Sequence, residues 1–138
     1  MSSQYPIKIT PDGQSYLVQF PDIPEAITYG DSITHAKEMA HDALLTALEF
    51  YFEDLREVPA ASVVSEQDYV ELPASIAVKV QLLNEMVRQR VKQVELARRM
   101  RVSPTQVNRM VNVRQSTKID TISDAFKALG KHLDFVIA

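Results

Sequence analysis

Gln93-Val94-Glu95-Leu96-Ala97-Arg98-Arg99-Met100-Arg101-Val102-Ser103-Pro104-Thr105-Gln106-Val107-Asn108-Arg109-Met110 is the stretch from which the rest of the chain is best read. Leu96, Met100, Val102, Val107 and Met110 are spaced so that two short helices, 93–100 and 104–111, cross steeply over one small apolar core. Ala97 leaves the room that such a crossing needs. Ser103 stands where a side-chain oxygen caps the second helix, and Pro104 takes the first-turn position that tolerates a missing N–H. At about 100° per residue, Val107 and Met110 mark the inward side of the second helix, and Thr105, Asn108, Arg109 and Asn112 point away from it. Those four side chains suit a DNA groove. Asn pairs in bidentate fashion with adenine, Arg with guanine, and Thr bonds a base edge or touches a thymine methyl. Lys92, Gln93, Arg98, Arg99, Ser103 and Gln106 lie at helix starts and flanks, the places from which phosphates are held.

Working outward, two more helices are expected at 74–90 and 120–129, the last closed by Gly130 in a left-handed conformation. The chain then ends on Leu133-Asp134-Phe135-Val136-Ile137, a β-prone run expected to form a short terminal strand. A lone terminal strand invites pairing with another chain, so a homodimer or higher assembly is expected, with two recognition helices on one side. Upstream, Tyr5, Ile7 and Ile9 alternate with polar residues, Pro11-Asp12-Gly13 turns the chain, and Tyr16, Val18 and Phe20 repeat the alternation. A third strand at Ile27 to Tyr29 makes a small antiparallel sheet. Asp31 and Ser32 can cap a helix running to about Asp54, whose apolar stripe from Ile33 to Leu55 can cover that sheet. Pro59-Ala60-Ala61-Ser62 interrupts the pattern, and short β-prone pieces follow at Ser62 to Val64 and Tyr69 to Leu72. The expected fold class is α+β: a first domain, 1–70, of small antiparallel sheet and one long helix, and an all-α second domain, 71–138, with a short terminal strand.

Charge divides along the same line. Residues 1–70 carry three basic and twelve acidic groups, a net charge of −9, and residues 71–138 carry twelve basic and six acidic, a net +6. Opposite signs on two halves imply different partners. The basic half suits double-stranded DNA. The chain has no cysteine, which removes disulfides and thiolate metal sites and fits a reducing, cytoplasmic setting. No apolar run approaches the roughly 20 residues that span a bilayer, and no signal peptide is evident, so no membrane partner is expected.

The quoted stretch resembles the helix-turn-helix of Xre and Cro-like repressors, through Gln93, the Leu96-Ala97 pair and Val102-Ser103, with Ile119, Ile122, Ala125, Leu129 and Gly130 matching that family's closing helix. Arg101 departs from the pattern, since glycine is common there, and it must accept an unusual backbone conformation. The whole chain resembles the HicB antitoxins: Tyr16-Leu17-Val18-Gln19-Phe20-Pro21-Asp22-Ile23-Pro24, the link Thr28-Tyr29-Gly30-Asp31-Ser32, and the alanine-rich helix ending in Glu53-Asp54 carry the match. That resemblance implies a partly formed ribonuclease-H-like first half that binds a small basic HicA-type messenger-RNA ribonuclease and suppresses it. It also implies repression of the operon encoding both. An acidic first half can cover a basic ribonuclease face by charge complementarity. Asp22, Glu38, Asp42 and Glu49 are the candidates for that contact.

Catalysis is not expected. Two-metal nucleases need carboxylates converging from strand ends, whereas Asp12 and Asp22 sit in turns and the other acids line a helix exterior. His35 and His41 turn to different faces of their helix, which disfavours a metal site, and the five scattered methionines read as core filling rather than a cofactor box. The alternative of another class is a free-standing repressor whose first half senses a small molecule through Tyr5, Tyr16, Phe20 and Tyr29.

Overall fold

A computed structural model describes residues 3–63 and 68–137. The chain divides into two compact units, one of residues up to 51 together with 59–74, the other of 52–58 together with 75 onward. It is a mixed α/β protein in which a small antiparallel sheet is followed by helices.

In the first unit β2 (Lys8–Asp12), β3 (Ser15–Gln19) and β4 (Ile27–Gly30) form an antiparallel sheet in the order β2-β3-β4. Asp12 faces Ser15 across a two-residue turn, and Gly13 has φ of 61°, a value that glycine adopts without a Cβ penalty. The alternation from Tyr5 to Thr10 predicts one strand, but the structure has two. β1 (Gln4–Pro6) leaves the sheet at buried Ile7, whose N–H donates to the Asp68 carbonyl at 2.9 Å, and pairs instead with β5 (Tyr69–Glu71). The Leu72 N–H donates to Ser3 O, so residues 69–72 are tied into the first unit.

The helix α1 (Ile33–Glu53) starts where Ser32 Oγ accepts the His35 N–H at 3.0 Å. His35 Nδ1 in turn accepts the Asp31 N–H, satisfying a second donor at the helix entrance. Ala36, Ala40, Leu44, Ala47, Leu48 and Tyr51 are buried, as are Tyr5, Val18, Phe20 and Ile23 of the same unit, whereas Ile33 stays half exposed. Small residues on this stripe let the backbone come close. At Gly30 a Cβ would stand 2.3 Å from the Ala36 amide nitrogen, so no other residue fits where the sheet hands over to the helix. Of the expected piece Ser62 to Val64, Val64 lies outside the described residues, and Ser62 and Val63 are in no strand. Ser62 is held by Asp22, whose carboxylate accepts its N–H at 2.8 Å and its hydroxyl at 2.5 Å.

The second unit contains α2 (Ala74–Gln89, whose first residue belongs to the first unit), α3 (Gln93–Met100), α4 (Pro104–Met110) and α5 (Ile119–Ala128). Its core holds Val80, Leu82, Leu83, Met86, Leu96, Val107, Met110, Ile122 and Ala125. Buried Asn84 acts as a detached peptide group: its Oδ1 accepts the Val58 N–H at 2.7 Å and its Nδ2 donates to the Val58 carbonyl at 3.2 Å. That pair binds residues 52–58 to α2 across 26 positions of sequence. Gly130 has φ of 72°, and Lys131 N donates back to Phe126 O, the closure expected of a left-handed C-terminal residue. The expected terminal strand is absent among the described residues. Residues 131–137 are in no strand, and Phe135, Val136 and Ile137 are exposed.

Candidate nucleic-acid interface

Two short helices, α3 and α4, meet through a three-residue turn, Arg101 to Ser103, whose geometry is fixed at both ends. Arg101 sits in the left-handed region at φ 57° and ψ 42°, the conformation for which glycine would be the easy choice. Its N–H donates to Arg98 O, and the Val102 N–H reaches back to Ala97 O at 3.1 Å, which closes α3. Ser103 then opens α4 with a reciprocal cap. Its Oγ accepts the Gln106 N–H at 3.2 Å, and Gln106 Oε1 accepts the Ser103 N–H at 3.1 Å. Ala97 is buried beside Leu96, Val107 and Met110, so the small side chain expected at the crossing is in place.

The far end of α4 is held by a residue that the motif does not contain. Lys79 of α2 is buried, and its Nζ donates to the carbonyls of Arg109 at 3.1 Å, Asn112 at 2.9 Å and Gln115. All three ammonium protons are used on the carbonyl-rich end of the helix, where a cation also opposes the negative end of the helix dipole. Burial pushes the Lys79 ammonium below its usual pKa. The sequence did hold a signal, since Lys79 is the lone charge in Ile76-Ala77-Val78-Lys79-Val80. Nothing local, however, reveals acceptors 30 to 36 residues away.

This frame turns one face of α4 outward. Thr105, Asn108 and Arg109 are exposed and lie opposite buried Val107 and Met110. Asn112 does not share that face as a helical residue. It lies beyond the end of α4, is half-buried, and its Oδ1 accepts the Arg114 N–H at 2.9 Å, which folds the side chain back on its own turn. Asn108 Nδ2 donates across to Gln93 Oε1 at 3.5 Å, linking the start of α3 to the outer face of α4.

The residues assigned to phosphate contact divide into free and engaged groups. Lys92 precedes α3 and is exposed. Arg98 and Arg99 both bind Glu95, at 2.5 Å and 2.9 Å, and these hydrogen bonds hold the Glu95 carboxyl down at about 2. Arg99 also reaches the Ala128 carbonyl of α5 at 3.4 Å, so it ties α3 to α5 as well as adding charge. Ser103 and Gln106 are occupied with each other in the cap. Arg101 and Arg109 add exposed cations beside them.

In the first unit the four acidic candidates are not equivalent. Asp22 accepts the Ser62 N–H and hydroxyl, and Glu38, Asp42 and Glu49 lie along α1. Tyr5 and Phe20 are core residues, and the Tyr5 hydroxyl donates to Pro59 O at 2.8 Å; burial, with the Asp22 charge, pushes its pKa up to about 12. Tyr29 is half exposed. No helix among the described residues is long and apolar enough to cross a membrane.

Residues 4–81 match a family described as HicB-like antitoxin of bacterial toxin-antitoxin system. Over nearly the whole length the chain is similar to antitoxin HicB 2 of Photorhabdus laumondii, 52% identical over 133 residues that cover 96% of this chain and 95% of the relative. Antitoxin HicB of Escherichia coli is 44% identical over 136 residues, 97% and 99% of the two chains. Antitoxin HicB of Pseudomonas fluorescens is 32% identical over 132 residues, 94% and 90%.

Proposed function

The chain belongs to the HicB-like antitoxins of bacterial toxin–antitoxin systems, and on that premise we propose that it neutralises a small basic HicA-type messenger-RNA ribonuclease and represses its own operon through a helix-turn-helix. The observation that carries the DNA half is the framed α3–α4 pair. A left-handed Arg101, a reciprocal Ser103–Gln106 cap and the buried Lys79 ammonium hold α4 rigidly while Thr105, Asn108 and Arg109 face out. A rigid helix with polar and basic residues on its outer face is what major-groove reading requires. The supporting charge is local to the basic half, at +6 over residues 71–138. Asn112 acts in this reading through its turn, which carries the Lys79 acceptors, more than through a base contact.

The toxin half rests on family membership and on the −9 charge of residues 1–70, which complements a protein that must itself attract RNA. Neither role calls for catalysis or a cofactor by this chain. The exposed Phe135-Val136-Ile137 tail supports a two-fold pairing of chains, which would set two α4 helices against half-sites roughly 34 Å apart.

Titration of operator DNA tests the first half. Arg109→Ala and Asn108→Ala should relax sequence preference, whereas Lys92→Ala should weaken specific and random DNA alike and lower the salt slope by about 0.9. Equal losses from all three would show that the groove face is misplaced. Removal of residues 132–138 should leave a folded monomer with weak, poorly selective binding, and a truncated dimer that binds undiminished would refute the pairing. Coexpression with the adjoining small open reading frame tests the antitoxin half, through rescue of growth.

A further inference from the structure

Helix α1 shows three parallel strips, and only one of them belongs to the core. At about 100° per residue, Ala36, Ala40, Leu44, Ala47 and Tyr51 form the buried strip. Met39, Ala43, Thr46 and Phe50 form the next, and with Ile27 of β4 they line an open groove of about 230 Å³ whose rim carries Glu25 and Asp42. Glu38, Asp42 and Glu49 trace the strip beyond it. Ile27 and Phe50 each leave 53% of their surface exposed, and Met39 leaves 37%. Single exposed apolar residues are ordinary, but three around one groove, bordered by carboxylates, are the anatomy of an interface: an apolar centre with a charged rim. Among the described residues β4 is an edge strand of its sheet.

We infer that this β4–α1 groove is where the toxin docks, with an apolar side chain of the basic partner inserted between Ile27, Met39 and Phe50 and its lysines or arginines facing Glu25, Asp42 and the Glu38–Glu49 strip. The inference rests on the antitoxin reading and narrows it to one face. Charge complementarity selects the occupant. A second copy of this chain would bring the same carboxylates against themselves, and nucleic acid would be repelled by them, whereas a basic protein is attracted over both the apolar floor and the acidic rim. Phe50 is the anchor, because it is the aromatic side chain of the groove lining, half exposed, and aromatics dominate such interfaces. Asp22 does not line the groove and lies outside this contact, whereas Glu25 on the rim accepts the Tyr51 hydroxyl at 2.9 Å.

The test uses the full-length chain and the purified product of the adjoining small open reading frame, with affinity measured by calorimetry and neutralisation by RNA cleavage. Phe50→Ala should weaken binding about 30-fold or more, in the range of an interface anchor. Asp42→Lys should slow association and flatten its salt dependence. Tyr69→Ala, an exposed aromatic of the same unit outside the groove, should bind as wild type does. Melting curves of Phe50→Ala and Asp42→Lys check that the fold is kept; if Phe50→Ala melts early, Met39→Glu reads the same face. Wild-type binding with no loss in the Phe50, Met39 and Asp42 variants overturns the groove while leaving the antitoxin reading intact. Absence of wild-type binding removes both. A variant that turns a dimer into a monomer with toxin affinity unchanged overturns the inference by assigning the groove to a second copy of the chain.

Discussion

Replacing Lys79 by methionine keeps the length of the side chain and most of its volume but removes every donor, so the carbonyls of Arg109, Asn112 and Gln115 lose their shared partner. Hydrogen bonds from a charged donor contribute about 1.5–3 kcal/mol each, but these acceptors are only partly buried and the buried ammonium is itself costly to desolvate. Taking about 1 kcal/mol per carbonyl gives a loss of roughly 3 kcal/mol, a large fraction of the 5–15 kcal/mol that holds a typical domain together. Urea unfolding followed by circular dichroism should show the midpoint of the second unit lowered by roughly 1–3 M, given slopes near 1–3 kcal/mol/M. DNA titration supplies a second, independent reading. Lys79 is buried, so under the proposed DNA-binding role Lys79→Met should lower specific affinity by loosening α4 while leaving the slope against salt unchanged; an exposed lysine on the DNA would lower that slope by about 0.9. Wild-type melting would refute the clamp. A reduced salt slope would show instead that Lys79 reaches the DNA.

Gly30→Ala should destabilise the first unit by about 1–3 kcal/mol or more, because its new Cβ meets the backbone of Ala36 at 2.3 Å and backbone cannot turn aside as a side chain can; thermal unfolding and loss of toxin neutralisation report it. Arg101→Gly should raise the melting temperature of the second unit slightly: relief of the left-handed strain, about 1–2 kcal/mol, outweighs the added freedom of the unfolded chain, about 0.4–1 kcal/mol. The Tyr5 phenol has a folded pKa raised from 10.0 to about 12, so its stabilising contribution is complete below pH 10 and is lost as pH climbs from 10 towards 12; Tyr5→Phe should blunt that alkaline loss in a pH series of melts. Glu95 works in the opposite sense, its contribution being present above pH 4.5 and lost as pH falls towards 2, and its exposure makes the effect sensitive to salt.

Features whose causes lie within a few residues were legible in the sequence by itself. The turn between α3 and α4 is written in Ser103-Pro104 and the nearby Gln106, the end of α5 in Gly130, the hairpin in Asp12-Gly13, and the opening of α1 in Ser32, because caps and turns are made by side chains bonding to backbone three or four positions away. Periodicity marked the buried sides of α1 and α4 for the same reason. The outward placement of Thr105, Asn108 and Arg109 followed from helical geometry alone, but Asn112 did not, since the helix stops before it and its side chain bonds its own turn. Tertiary structure decided everything that depends on a distant partner. Whether Tyr5 to Thr10 is one strand or two was settled by the carbonyl of Asp68, and whether Asp22 is a free carboxylate by Ser62, forty residues on. Lys79 and Asn84 look like ordinary polar residues of a helix until the chain brings Arg109, Asn112, Gln115 and Val58 against them. A buried donor or acceptor must be satisfied, and no local pattern states which remote segment will do it.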